Sequence, residues 1–301
     1  MDSKAPETKR TLEARLKREG IWLERTRGQC FLIDHNLLRA IASQANLGGN
    51  SAVLEVGSGS GFLTRHLAEK AGRVWAVEND ERLVKLARET LSEFPNIEWM
   101  NAGILAEKNS INPSIVGRIQ EELIRHPEWK MKVVSNPPYS IASPMVLALL
   151  ESALPVEEMV LVLQEEVALR IAARPGSRAY GILTLLVQAT SEVKIERSVP
   201  ASVFWPRPAV ASRLIRIIPR NHLRSRIKNY EAFVALVKAL FQQRRKTLIS
   251  TFRKQEYLSA RSRALADASR ELRLDLKRRA EELSVEEIIE LSNRTEESRE
   301  S

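Results

Sequence analysis

The chain has 301 residues, 44% of them apolar, and a formal net charge of +9, which suits one large domain with one small one and a polyanionic partner. Cys30 is its single cysteine and no run of eighteen apolar residues occurs, so an intramolecular disulfide is excluded and a membrane span is not expected. The stretch Met1–Glu7 lacks the apolar core of a signal peptide, and Glu13, Glu19 and Glu24 follow it, so a reducing, cytoplasmic setting is expected.

In chain order, Leu12 with Leu16, and Leu37, Leu38 with Ile41, repeat at helical spacing and predict helices over 11–19 and 34–45. Ala52–Val56 is a short apolar run that stops at glycine, the pattern of a buried strand entering a tight turn. Phe62, Leu63 and Leu67 return to helical spacing between Gly61 and Lys70. A second strand covers Arg73–Glu78, a helix runs from Glu81 to about Phe94, and further strands are expected at Ile97–Met100, Lys132–Val134 and Met159–Leu163. The polar stretch Ala106–Lys130 reads as a loop plus a helix, long for a connection between strands. Strands alternating with helices imply an α/β fold with a parallel sheet covered on both faces. Beyond Pro219 the pattern becomes purely helical, over 229–241, 244–253, 259–266 and 284–292. The expected division is therefore 1–220 for the α/β domain and 221–301 for a small all-helical one.

The charge is unevenly spread. From Arg213 to Arg279 there are nineteen Lys or Arg against five Asp or Glu. A basic surface of this kind attracts nucleic acid, although a solvated helical face would carry the same charge.

The first strand runs into Glu55-Val56-Gly57-Ser58-Gly59-Ser60-Gly61. Alternate glycines let the backbone turn sharply and approach a ligand closely. A dinucleotide fingerprint would place its third glycine one residue later, to set a pyrophosphate on a helix N-terminus. The G-x-G-x-G spacing fits S-adenosyl-L-methionine, which carries no phosphate. Glu78, at the end of the second strand, is placed to accept hydrogen bonds from ribose hydroxyls. A glycine-rich turn with a solvated Glu beyond it is the alternative.

The fourth strand ends in Ser135-Asn136-Pro137-Pro138-Tyr139. In a parallel sheet such residues face the ligand crevice. The adenine amine is a poor nucleophile because its lone pair is delocalised into the ring. The Asn136 side-chain oxygen can accept one amine hydrogen and the Pro137 carbonyl the other, which favours a pyramidal nitrogen with its lone pair aimed at a sulfonium methyl. The prolines stiffen the loop, and Tyr139 offers a face on which a base can stack. A plain proline turn after a strand is the alternative.

Taken together these segments resemble the ribosomal RNA adenine dimethyltransferase family, of the small-subunit dimethyladenosine transferase type. Gly28–Asp34 resembles its G-Q-N-F-L-x-D, Glu55–Gly61 its E-I-G-P-G-x-G, and Asn136–Tyr139 its N-L-P-Y. Gln164–Arg170, Pro175–Gly181, Phe204–Pro208, Gln243–Leu248 and Arg279–Ser284 resemble further family segments, in order, so the similarity spans about residues 20–293. The resemblance implies a Rossmann-like methyltransferase sheet with helices on both faces, plus the C-terminal all-helical domain as an RNA-binding part. It implies dimethylation of two adjacent adenosines in a hairpin near the 3′ end of small-subunit rRNA, in that rRNA or its precursor particle, during ribosome assembly. It also implies a catalytic group of Asn136, Pro137, Tyr139 and Phe204, with Phe204 stacking on the base opposite Tyr139. The cofactor would be bound by Gln29, Cys30, Leu32, Glu55, Gly57, Gly59, Gly61, Glu78, Gly103 and Asn136. Gln243–Lys246 is the expected phosphate-contacting patch, and a monomer without membrane association is expected.

Three positions depart from the family pattern. Cys30 stands where the family has Asn, Gly103 where it has the Asp that would hold the cofactor's adenine amine, and Pro137 where it has Leu. Asn101 could compensate for Gly103. N-P-P-Y also occurs in DNA adenine methyltransferases, so a DNA enzyme is one rival reading. A non-catalytic RNA-binding factor descended from the family, like the mitochondrial B-type transcription factors, is the other. His35, His66, His126 and His222 show no metal-ligand spacing, and no metal is expected.

Overall fold

The computed structural model describes residues 8–21, 30–107 and 110–300. They fall into two compact units, one of residues up to Ala168 with Lys194–Ile218, the other of Leu169–Val193 with Pro219 onward. In chain order the elements up to Pro219 are α1 (Lys9–Arg18), β1 (Phe31–Leu32), α2 (His35–Gln44), β2 (Ser51–Val56), α3 (Phe62–Ala68), β3 (Arg73–Glu78), α4 (Glu81–Thr90) and β4 (Ile97–Asn101). They continue with β5 (Leu105–Glu107), β6 (Ser110–Ile111), α5 (Pro113–Arg125), β7 (Lys130–Ser135), α6 (Ala142–Glu151), β8 (Val156–Gln164), α7 (Glu165–Ile171), α8 (Ile182–Gln188), β9 (Ser191–Val199), β10 (Phe204–Trp205) and β11 (Ser212–Pro219).

The main sheet has seven strands in the order β4-β3-β2-β7-β8-β11-β9. The first five are mutually parallel, and β11 is antiparallel to β8, pairing Ile215 with Leu161. All six residues of β2 are buried, because β3 and β7 flank it and helices cover both faces. That is why Ala52–Val56 reads as a continuous apolar run rather than an alternating one. The parallel strands lie where they were expected. The sheet is larger than expected, since β9 and β11 join its far edge. The alternation Glu192-Val193-Lys194-Ile195-Glu196 is the sequence signal for β9, and its charges at every second position suit an edge strand.

The stretch Ala106–Lys130 contains the end of the short β5–β6 pair and the helix α5. Ile115, Ile119 and Glu122 form the buried face of α5, at helical spacing. The Glu122 carboxylate accepts from Trp75 Nε1 at 2.9 Å and from Arg73 Nε at 2.7 Å. Arg73 also pairs with Glu98. This stretch thus seals the start of β3, where the fully buried Trp75 indole needs an acceptor.

The second unit contains α8 and then α9 (Asn221–Arg224), α10 (Tyr230–Phe241), α11 (Leu248–Lys254), α12 (Glu256–Ser259), α13 (Ser262–Glu271) and α14 (Val285–Glu300). Residues 244–246, expected to open a helix over 244–253, form a turn and bend instead, and the helix starts at Leu248. The chain there is tied to a distant segment: Thr247 bridges to Arg279, and Leu248 N donates to Arg278 O at 2.9 Å. Two segments singled out in the sequence meet in this unit. Gly176 N donates to Glu281 O at 2.6 Å, and the fully buried Tyr180 donates its hydroxyl to Leu283 O at 2.8 Å. These bonds explain why Leu169–Val193 groups with the helical unit. The expected division at residue 220 therefore differs from the compact units by that segment, which sequence order alone assigns to the α/β domain.

Candidate active site

Strand order reverses between β2 and β7, with β3 and β4 on one side and β8 on the other. Such a reversal opens a crevice outside the carboxyl ends of the two strands. The glycine loop leaves β2 there and Asn136–Tyr139 leaves β7, so the two most informative sequence segments adjoin one crevice. Ser135 joins the strand ends. It is fully buried, donates its hydroxyl to Val56 O at 2.6 Å and accepts from Val56 N at 3.3 Å. Sequence reasoning did not assign Ser135 a role, because a strand-end serine carries no distinctive pattern.

Gly57 and Gly59 have φ of +73° and +54°. A Cβ on Gly57 would stand 2.7 Å from Pro138 Cδ, and one on Gly59 would stand 2.5 Å from the Phe31 ring. Both positions exclude a side chain by conformation and by contact. The loop and its two neighbours enclose a cavity of about 390 Å³, whose walls include Cys30, Phe31, Gly57, Gly59, Glu78, Asn79, Leu83, Gly103, Asn136 and Pro138. Its size lies within the usual span for small-molecule sites. Leu83 reaches it from the first turn of α4, where helical spacing alone cannot tell a cavity wall from core.

Glu78 is buried at the end of β3. Its Oε2 accepts from Gly59 N at 3.0 Å, and its Oε1 accepts from Asn79 N at 2.9 Å and Asp80 N at 3.1 Å. Burial raises its pKa while the three backbone N–H groups oppose the rise. Oε2 keeps an accepting position for a ligand hydroxyl. The glycine-loop N–H at Gly59 is turned onto this carboxylate, so a phosphate there would meet a negative charge rather than a free donor. The buried carboxylate and the tight glycine cradle fit S-adenosylmethionine and disfavour a dinucleotide pyrophosphate.

The Asn136 side chain donates from Nδ2 to the Cys30 carbonyl at 3.1 Å. Its Oδ1 is buried and has no partner among the described residues. One N–H of the amide is thereby committed and the acceptor oxygen is left without a partner, the orientation needed to receive an amine hydrogen. The Tyr139 hydroxyl and the buried Ser212 hydroxyl lie 3.0 Å apart, and burial raises the Tyr139 pKa.

The remaining expected site residues are placed differently. Glu55 is buried, and desolvation, aided by the neighbouring charge of Glu78, pushes its pKa up to about 8. It lines a separate void of about 30 Å³ with Leu32, Ser58, Ser60 and Asn136, beside the cavity rather than in its wall. Gly61 caps α3, and a Cβ there would stand 2.8 Å from Leu91 Cδ1, so its smallness serves helix packing. Phe204 is 3% exposed and belongs to the apolar core. Strand alternation in β10 turns it inward opposite Leu32 and leaves the half-buried Trp205 facing the other way, so the Phe204 ring is not presented to a base. Pro137 and Tyr139 adjoin the cavity without lining it. Gln29 lies outside the described residues. Asn101 donates Nδ2 to the Glu78 backbone carbonyl at 3.1 Å and is not a wall residue. No helix among the described residues is long and apolar enough to cross a membrane.

The family model described as ribosomal RNA adenine dimethylase matches residues 23–297. The chain is 37% identical over 280 residues to the ribosomal RNA small subunit methyltransferase A of Halothermothrix orenii, covering 92% of this chain and 90% of that one. It is 38% identical over 288 residues to the protein of the same name from Enterococcus faecalis, covering 94% of each. Among solved structures, a dimethyladenosine transferase from Plasmodium falciparum shares the fold with a TM-score of 0.72 at 23% identity, over 87% of this chain and 95% of that one. The 23S rRNA methyltransferase ErmE superposes with a TM-score of 0.62 at 26% identity, over 88% of this chain and 99% of that one. With a match that runs through the glycine loop, the Asn136 segment and the helical unit alike, the chain belongs to the ribosomal RNA adenine dimethylase family.

Proposed function

We propose that this protein dimethylates the exocyclic amines of two adjacent adenosines in a hairpin near the 3′ end of small-subunit rRNA, during ribosome assembly in the cytoplasm, acting as a monomer. As a member of its family the chain is an rRNA adenine methyltransferase with S-adenosylmethionine as its cofactor. The observation that carries the adenine chemistry is the Asn136 amide, held by Cys30 O with its own oxygen buried and unpartnered.

S-adenosylmethionine, when bound, supplies an electrophilic methyl group on a sulfonium. Gly57 and Gly59 let the backbone approach the methionine part, and Glu78 accepts from the ribose. Asn136 Oδ1 and the Pro137 carbonyl each take one hydrogen of the adenine amine and hold its nitrogen pyramidal. No strong base is required, since the methylated ammonium-like nitrogen is acidic and loses its proton readily. Tyr139, tethered through Ser212, offers its ring as a stacking face for the extruded base. Alignment of this kind supplies up to roughly 7–11 kcal/mol of a barrier.

RNA is held by the basic helical unit through phosphate contacts. Within Gln243–Lys246, Arg244 is committed to the fold, donating Nε to Glu281 at 2.6 Å and Nη2 to Arg178 O at 3.1 Å. Arg245 and Lys246 are exposed and suit phosphate. Mass mapping of methylated adenines in rRNA from cells with and without the protein tests the proposal. Loss of two neighbouring dimethyladenosines near the small-subunit 3′ end is expected, and an unchanged map would sink it.

A further inference from the structure

The edge of the sheet fixes how a cofactor must lie. Asn136 follows β7, the glycine loop follows β2, Glu78 ends β3, and Ala102–Ile104 follow β4, in that spatial order. Adjacent strands are about 4.8 Å apart. With the reactive methyl near Asn136 and the ribose at Glu78, the purine lies one strand further on, at Ala102-Gly103-Ile104. These three residues are cavity walls, and none has a polar side-chain atom. The polar wall residues Glu78, which ends β3, and Asn79, which follows it, belong to the neighbouring strand end. Asn101, which gives an N–H to Glu78 O at 3.1 Å, is not a wall residue, and neither is Asn112, whose side-chain oxygen is taken by Ser114 N at 3.1 Å and Ser114 Oγ at 2.8 Å. Gly103 is exposed, so solvent reaches this end of the cavity. A Cβ there would meet only Leu105 O, at 3.6 Å, and its φ lies outside the left-handed region.

We infer that Gly103 leaves the purine 6-amine of the cofactor without a side-chain partner among the described residues, so that the protein binds cofactors altered at that amine nearly as well as the natural one. The inference rests on the cofactor reading above. A site that hydrogen-bonds an amine through a buried group rejects an analogue lacking it, because the group is then left unpaired. Here water serves the amine before and after binding, and its removal leaves no protein group unpaired. An added methyl points into open space. Gly103 is thus a specificity-determining position whose effect is permissive.

The test is calorimetric titration of the full chain with S-adenosylhomocysteine, its 6-deamino analogue and its N6-methyl analogue. The expected dissociation constants lie within tenfold of one another. In Gly103→Asp, which supplies a carboxylate where the Cβ has room, the deamino analogue is expected to bind at least tenfold more weakly than S-adenosylhomocysteine. Gly103→Ala, which adds bulk without an acceptor, should keep the ratio of the unaltered protein, and thermal melts of both variants report whether they fold. Discrimination of tenfold or more against the deamino analogue by the unaltered protein overturns the inference while leaving the cofactor assignment intact. Failure of S-adenosylhomocysteine itself to bind at millimolar concentration overturns both.

Discussion

Asn136 Nδ2 donates to the backbone carbonyl of Cys30 at 3.1 Å across 106 positions of sequence. This one bond decides which end of the amide is left without a partner, and it uses the carbonyl of Cys30 rather than its side chain. Replacement of the family's Asn by Cys at position 30 therefore leaves the contact available. Asn136→Ala is expected to lower methyl transfer by about 10²-fold or more, the scale seen when a positioned hydrogen-bonding group is removed. S-adenosylhomocysteine affinity should stay within a few-fold. Asn136→Asp should be similarly impaired, since a carboxylate has no N–H for the Cys30 carbonyl. Single-turnover rates with calorimetry check both, and normal turnover in Asn136→Ala would remove Asn136 from the chemistry.

Glu78 binds by accepting, so its charge and its oxygens both matter. Glu78→Ala is expected to weaken S-adenosylhomocysteine binding by at least tenfold, because it removes the ribose acceptor and frees the Gly59 N–H it holds. Titration calorimetry gives the answer, and an unchanged dissociation constant would take Glu78 out of the site.

Gly59→Ala should damage the site while sparing the rest of the fold. The left-handed backbone costs an L-residue about 1–2 kcal/mol, and the new Cβ would collide with Phe31 at 2.5 Å. Relief requires the Phe31 ring or the loop to move into the cavity. We expect cofactor affinity to fall by more than tenfold with only a modest drop in melting temperature. Full-strength binding would show that the loop has slack that its packing does not reveal.

Glu55 sets a pH dependence of stability. Its folded pKa is raised to about 8 from the model-peptide value of 4.5. The unfolded chain therefore releases this proton first, and the stability due to the neutral form is fully present below about pH 4.5 and lost as pH rises through 8. Glu55→Gln keeps the neutral shape without the titration. Its melting temperature should fall less than that of the unaltered protein between pH 5 and pH 8.5, and it should be the more stable of the two at the upper end. Parallel pH profiles from thermal melts would refute this reading of Glu55.

Arg244 and its two neighbours should separate by role. Arg245→Ala with Lys246→Ala is expected to weaken binding to a small-subunit rRNA fragment and to flatten the salt dependence of log K by about 0.7–0.9 per lost phosphate contact. Arg244→Ala should instead lower the melting temperature, as it breaks the link between Glu281 and Arg178 O. Filter binding across salt concentrations, with melts of both variants, distinguishes them. An unchanged slope in the double variant would place the phosphate contacts elsewhere.

The sequence by itself determined the parallel strands, the glycine loop, Glu78 at a strand end and the Asn136 segment, because each is a local pattern: an apolar run, a glycine spacing, a residue where a strand stops. Only the tertiary structure decided which of these residues share a wall. Glu55, Leu32 and Gly61 sit within a few residues of the loop or of Phe31, yet face core or a separate void, since adjacent residues at a strand end point to opposite sides. Phe204 is core for the same reason. The two far-edge strands, the meeting of Pro175–Gly181 with Arg279–Ser284, and the hold of Cys30 on Asn136 all depend on pairings between distant segments. Sequence periodicity reports how a segment is buried; it does not report against what.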